Sequence, residues 1–324
     1  MAQQQIAYLR EQAIEDGEDP DEVAAQITDQ DTLTLRAWSE TADYWALSAG
    51  NEVKTRAKIK ALGLEVEDRR TEVPWPEWTK DLVVLMTPRP HQVDPIEKWF
   101  QAGHGMLKAN PAFGKTFAGI SVLFRHRQMA LVLTHTDALA DQFLTRFRQG
   151  SPPQKGSTEF TPVTNCLDVE EATGKAAVGR YQSSHPTRIY PVTIATWQAF
   201  QGPAGRAALK ALAKSFGVVL FDEGHVAAAP GPSRVVNTLW AKHKRSISAT
   251  PDRKDGMSVL LFDTLGPVTA EGASAQVPIE ASMIFTGCRY PPARYPRKGE
   301  WAYLLNWLVK QEVRNKQILK WLHH

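Results

Sequence analysis

The sequence predicts an α/β fold: a mostly parallel sheet covered by helices on both faces, preceded by a small, mainly helical segment. Three observations carry this. Short apolar runs alternate with longer amphipathic ones from about residue 100 onward, the pattern of strands joined by crossover helices. One run, Val218-Val219-Leu220-Phe221, is apolar at every position, as a strand buried on both faces must be. Prolines at 74, 76, 88 and 90 separate this part from a polar N-terminal stretch, because proline stops helices and restricts the residue before it.

The 324 residues, 43% hydrophobic and 23% charged, suffice for one large globular domain and a smaller one. No apolar run is long enough for a bilayer. The start, MAQQQIAYLREQ, lacks the basic-then-apolar pattern of a secretory leader. A soluble, cytoplasmic protein with no membrane partner is therefore expected. The two cysteines, Cys166 and Cys288, form no CxxC pair, so they are read as small buried hydrophobes and not as a disulfide or zinc site. Net charge is only +3, but residues 11–31 hold nine acids and no base, while residues 289–320 hold eight Lys or Arg against two Glu. Such runs are either solvated faces or, for the basic one, a tract near a phosphate backbone.

Taken in order, residues 1–80 form an accessory segment, residues 81–300 the main domain and residues 301–324 a terminal helix. In the first, Trp38 and Trp45 are seven apart and read as the core stripe of a small helical unit. Alternatively, its tryptophans, interleaved with Lys54, Arg56, Lys58 and Lys60, would stack on bases and grip phosphates. Candidate strands follow at Gly105–Ala109, Met129–Thr134, Val192–Ala195, Val218–Phe221, Arg245–Ala249 and Ala281–Phe285. Candidate helices include Lys115–Arg127, Asp137–Arg148 and Trp301–Leu322, the last with apolar Leu304, Leu305, Leu308 and Val313.

The segment Ala109-Asn110-Pro111-Ala112-Phe113-Gly114-Lys115-Thr116 has the form of a phosphate-binding loop with Ala in place of the first Gly. It follows a strand and opens a helix, where backbone N–H groups and the helix dipole favour phosphate. Lys115 then reaches the β- and γ-phosphates and the Thr116 hydroxyl holds Mg²⁺. Two residues depart from the usual form. Pro111 removes an amide donor, and Phe113 is bulky where a small residue is commoner, so nucleotide affinity is expected to be modest. A second segment ends its apolar strand in Asp222-Glu223-Gly224-His225. Acids at the carboxyl end of such a strand stand where α/β sheets bind ligands. Asp222 suits Mg²⁺, and Glu223 suits orienting and activating a water.

Asp222-Glu223-Gly224-His225 resembles the DEAD/DEAH-type box of superfamily-two helicases, whose motor is a RecA-like P-loop domain of three layers. Further segments fall in that family's order. Arg89-Pro90-His91-Gln92 looks like the adenine-reading segment, which makes Arg89 and Gln92 nucleotide-contacting. Val132-Leu133-Thr134-His135-Thr136, with Leu139 and Gln142, and Val192-Thr193-Ile194-Ala195-Thr196-Trp197-Gln198 are similar to two motifs that touch the nucleic-acid backbone, through Thr136 and Thr196. Ser248-Ala249-Thr250 is similar to the motif that, with His225, couples hydrolysis to movement. The continuation Pro251–Gly256 looks most like phage recombination and repair-type DNA helicases. The resemblance covers roughly residues 87–320 and implies an ATP- and Mg²⁺-dependent DNA helicase or translocase in a bacterial or phage-infected cell.

The family closes its site with arginines from a second RecA-like domain. Only 74 residues follow Thr250, with no QxxGRxxR-like segment. Val313-Arg314-Asn315-Lys316 resembles the helix that leads into that domain. The expectation is a weakly active chain completed by a separate polypeptide or a continuation of this one. Two other readings stay open: a nucleic-acid-binding or regulatory subunit that does not turn over, and the motor of a restriction or remodelling complex.

Overall fold

The computed structural model describes residues 38–41, 44–47, 68, 70–152, 159–251, 258–273 and 301–322. The chain divides into two compact units, Met1–Ser274 and Ala275–His324, a division that differs from the boundaries expected at 80 and 300. In the first unit, Trp38–Thr41 (β1) and Tyr44–Leu47 (β2) pair antiparallel. This corrects the helical reading of Trp38 and Trp45. Each lies in a short strand, and two residues separate the strands, the spacing of a tight hairpin. Aromatic and β-branched residues in both runs favour the pleated surface over a helix.

The main sheet has seven strands, all parallel: β3 (Gly105–Ala109), β4 (Ala130–Thr134), β5 (Val178–Arg180), β6 (Val192–Thr196), β7 (Val218–Asp222), β8 (His243–Ser248) and β9 (Val268–Gly272), in the spatial order β5-β6-β4-β7-β8-β3-β9. The five expected strands within the described residues are present, and the candidate at 281–285 lies outside them. β4 and β7 are buried at every position, which is why their sequences read as unbroken apolar runs. β5 and β9 were not anticipated. One has three residues, and the other, VTAEG, is an edge strand with exposed Glu271.

Around the sheet lie α1 (Pro90–Gln101), α2 (Lys115–His126), α3 (Asp137–Arg148), α4 (Cys166–Thr173), α5 (Gly202–Ala211), α6 (Pro230–Thr238) and α7 (Ser258–Leu265). Both faces are covered. A Cβ on Gly119 of α2 would lie 2.9 Å from Leu220 and 3.3 Å from Ile247, so α2 sits directly on that face. Ser246, of opposite parity on β8, faces Gly224, which in turn approaches Leu265 of α7. The result is the expected three-layer α/β sandwich. The packed chain begins before residue 80: Thr71 donates to Trp240 O, and the buried Trp75 donates Nε1 to Pro191 O at 3.2 Å. Cys166 is buried, with its thiol raised by burial and by Glu170 beside it; Cys288 lies outside the described residues. In the second unit, the expected terminal helix is two helices, α8 (Trp301–Val309) and α9 (Glu312–Leu322), broken at Lys310-Gln311. Among the described residues no helix is long and apolar enough to cross a membrane.

The amino ends of the strands carry a buried basic cluster. Arg245 is fully buried and donates to Trp99 O, to Phe100 O at 2.8 Å and to His126 Nε2 at 2.9 Å, tying β8 to α1 and α2. Burial, with Arg245 and His243 close by, pushes the His126 imidazole down to about 2. An unfolded histidine takes up a proton below about 6.5, while folded His126 stays neutral. Unfolding therefore binds protons, and stability must fall as pH drops below about 6.5. His126→Gln keeps an acceptor for Arg245 but cannot titrate. In thermal melts from pH 7 to 5 it should lower the acid slope by about 1 kcal/mol per pH unit; an unchanged slope would refute the assignment.

Candidate nucleotide and nucleic-acid site

The phosphate-binding loop joins β3 to α2 at the carboxyl edge of the sheet. Ala112 (φ 67°) and Gly114 (φ 93°) are left-handed, a backbone turn that gathers N–H groups into an anion-binding concavity. Gly114 suits this position because φ 93° strains any residue with a side chain, and a Cβ would also displace the Gln92 amide, 2.4 Å away. No side chain caps the start of α2, which leaves its first-turn amides for a phosphate. Asn110, Pro111 and Ala112 are exposed along the loop, and Lys115 and Thr116 are half-buried.

Phe113 explains its own unusual size. It is fully buried, with its ring edge-on to His91 at 5.6 Å and against Gly272 of β9, where a Cβ would lie 2.4 Å from Cε2. The loop is thus pinned to the core by a buried side chain. Arg89 is exposed at the start of α1, and Gln92 is buried. Gln92 Oε1 accepts from Arg89 N at 2.8 Å and its Nε2 donates to Phe113 O at 2.5 Å. Gln92 therefore braces the loop from behind, whatever else it contacts.

The acid pair meets this loop. Lys115 Nζ lies 2.9 Å from Glu223 Oε1. Glu223 adopts a left-handed backbone (φ 54°), costing about 1–2 kcal/mol in a non-glycine residue; such strain collects at functional sites. Burial and the Glu223 charge push the Asp222 carboxyl up to about 6, so a cation beside it would favour its ionised form. Loop and acid together fit a nucleotide with its divalent cation. The contacts continue outward: His225 Nδ1 is 3.4 Å from Glu223 Oε2 and 3.2 Å from Ser248 Oγ, which accepts from Thr250 N at 3.3 Å. The residues expected to couple hydrolysis to movement thus form one connected path from Lys115.

Thr196 ends β6, and Thr136 lies two residues past the end of β4; the two strands are adjacent and paired in register at Thr134 and Thr196. Thr136 is exposed and caps α3, accepting from Leu139 N at 3.3 Å; Thr196 is half-buried. Between them lies a contact not anticipated: Trp197 Nε1 donates to His135 Nδ1 at 3.3 Å, and Gln198 Nε2 donates to His135 O at 2.9 Å.

The profile described as "Type III restriction enzyme, res subunit" matches residues 85–253, just over half the chain and every element described above from loop to coupling segment. The chain belongs to this family. As a member, it carries a superfamily-two, helicase-type ATP-binding domain, in agreement with the resemblance drawn from its motifs. Relatives include the DNA 3'-5' helicase XPB of Kineococcus radiotolerans, 26% identical over 55% of this chain and 29% of that protein. A Halobacterium salinarum protein carrying the name Rad25 is 26% identical over 75% of this chain and 36% of its own length. The chain thus spans about a third of these relatives. The UvsW helicase structure from bacteriophage T4 aligns at TM-score 0.43 and 13% identity, over 72% of this chain and 81% of that one.

Proposed function

We propose that this domain binds ATP with Mg²⁺ and hydrolyses it to drive movement along, or unwinding of, DNA. The carrying observation is the 2.9 Å Lys115–Glu223 pair, which brings the phosphate loop and the acid segment into one site. Bound Mg²⁺ would be held by Thr116 and Asp222 and would neutralise phosphate charge. The loop amides and Lys115 bind the phosphates. Lys115 cannot serve both partners equally: drawn to a γ-phosphate, it releases Glu223, which then orients a water and accepts its proton. His225 and Ser248 relay the change toward Thr250, while Thr136 and Thr196 hold the DNA backbone.

A second RecA-like domain, on a separate polypeptide or a continuation of this one, would supply the arginines that stabilise the transition state. Supporting such a partner, Leu305 and Val309 on α8 and Val313 on α9 are each more than half exposed. The test is ATP hydrolysis with and without DNA, with and without that domain. DNA should stimulate turnover strongly only when both domains are present, and Lys115→Ala should abolish it. DNA binding that persists with no turnover under any combination would favour a non-hydrolysing subunit instead.

A further inference from the structure

His135 and Trp197 together form a flat aromatic surface that the function described above does not use. An indole N–H lies in the ring plane, so its bond to His135 Nδ1 sets the rings edge to edge instead of face to face. Their planes differ by 17° and their centroids lie 6.3 Å apart, as expected of near-coplanar rings sharing an edge. Gln198 fixes the histidine backbone. His135 is exposed and Trp197 half-buried. The far edge of the indole rests on α6, where a Cβ on Gly231 would lie 3.0 Å from Trp197 Cζ3. There a groove of about 570 Å³ opens, lined by Trp197, Gln201, Arg206, Gly231 and Arg234.

We propose that His135 and Trp197 are a base-stacking platform for single-stranded DNA, with the Arg206 and Arg234 groove taking the adjoining phosphates. The proposal rests on the nucleic-acid reading and adds contact with bases to it. Aromatic faces hold bases without regard to sequence, and guanidinium groups hold the strand between them. The platform bridges the ends of β4 and β6, so a strand lying across Thr136 and Thr196 passes over it.

The test is fluorescence anisotropy with a labelled thymidine oligonucleotide and an abasic oligonucleotide of equal length. The full chain should bind the abasic strand roughly 10-fold or more weakly. Trp197→Leu should weaken the intact strand by a similar factor and leave abasic binding unchanged, with Trp197→Phe restoring most of the loss. Arg206→Gln and Arg234→Gln should weaken both strands and lower the salt slope by about 0.7 each. Equal binding of the two strands by the unmodified chain, or equal loss of both in Trp197→Leu, overturns the platform while leaving DNA binding intact. Binding of neither strand overturns the nucleic-acid reading itself.

Discussion

Glu223→Gln should lower ATP turnover by about 10²–10⁴-fold, the usual contribution of a positioned general base, while leaving ATP–Mg²⁺ binding intact or slightly tightened. The two effects separate because the proposed mechanism gives Glu223 two jobs. As a base it must take a proton, which an amide cannot do. As the partner of Lys115 at 2.9 Å it competes with phosphate for the ammonium group. Both side chains are partly exposed, so the pair is worth roughly 1 kcal/mol or less, and its loss should improve nucleotide affinity by no more than about fivefold. Single-turnover hydrolysis beside a nucleotide titration measures both. Equal loss of binding and turnover would mean that Glu223 maintains the site and is not the base.

Phe113→Ala should be the most damaging change in the loop, because Phe113 is buried in the core. Truncating a fully buried phenylalanine costs about 3–5 kcal/mol, and here the void opens directly beneath Gly114 and Lys115. Without the ring on Gly272 and His91, the loop keeps the Gln92 bond and the Asn110 N to Gly272 O bond at 3.3 Å but loses its apolar anchor. Chemical denaturation should show the stability loss, and ATP binding should fall with it at temperatures where the variant is still folded. Phe113→Leu should recover much of both. If Phe113→Ala bound ATP normally, the loop would be held by its backbone turns and not by this anchor.

The meeting of the loop and the acid segment was legible because phosphoryl chemistry demands particular side chains at fixed spacing. Lys115-Thr116 after a strand and Asp222-Glu223 at the end of another are local patterns, and the sheet joins them. The buried strands were legible for a related reason, since continuous apolar runs such as Val218–Phe221 leave little alternative. Three features were hidden. The anchoring of Phe113 depends on Gly272, far away in sequence, and β9 is too polar at its edge to read as a strand. The hairpin at Trp38 and Trp45 shares a seven-residue spacing with a helix, and only the strand pairing separates the two. His135 and Trp197 sat beside the threonines singled out, but nothing local says that β4 and β6 are neighbours, so their hydrogen bond could not be foreseen.

On the proposed function, Ala109–Thr116 and Asp222-Glu223 form one Mg²⁺-dependent nucleotide site. The most direct measurement is titration of the chain with a fluorescent ATP analogue, with and without Mg²⁺, for the unmodified protein, Lys115→Ala and Asp222→Asn. Binding should depend on Mg²⁺, weaken by about 10-fold or more in Lys115→Ala, in line with losing a charge-assisted contact, and lose its Mg²⁺ dependence in Asp222→Asn. Binding untouched by either substitution and indifferent to Mg²⁺ would contradict it.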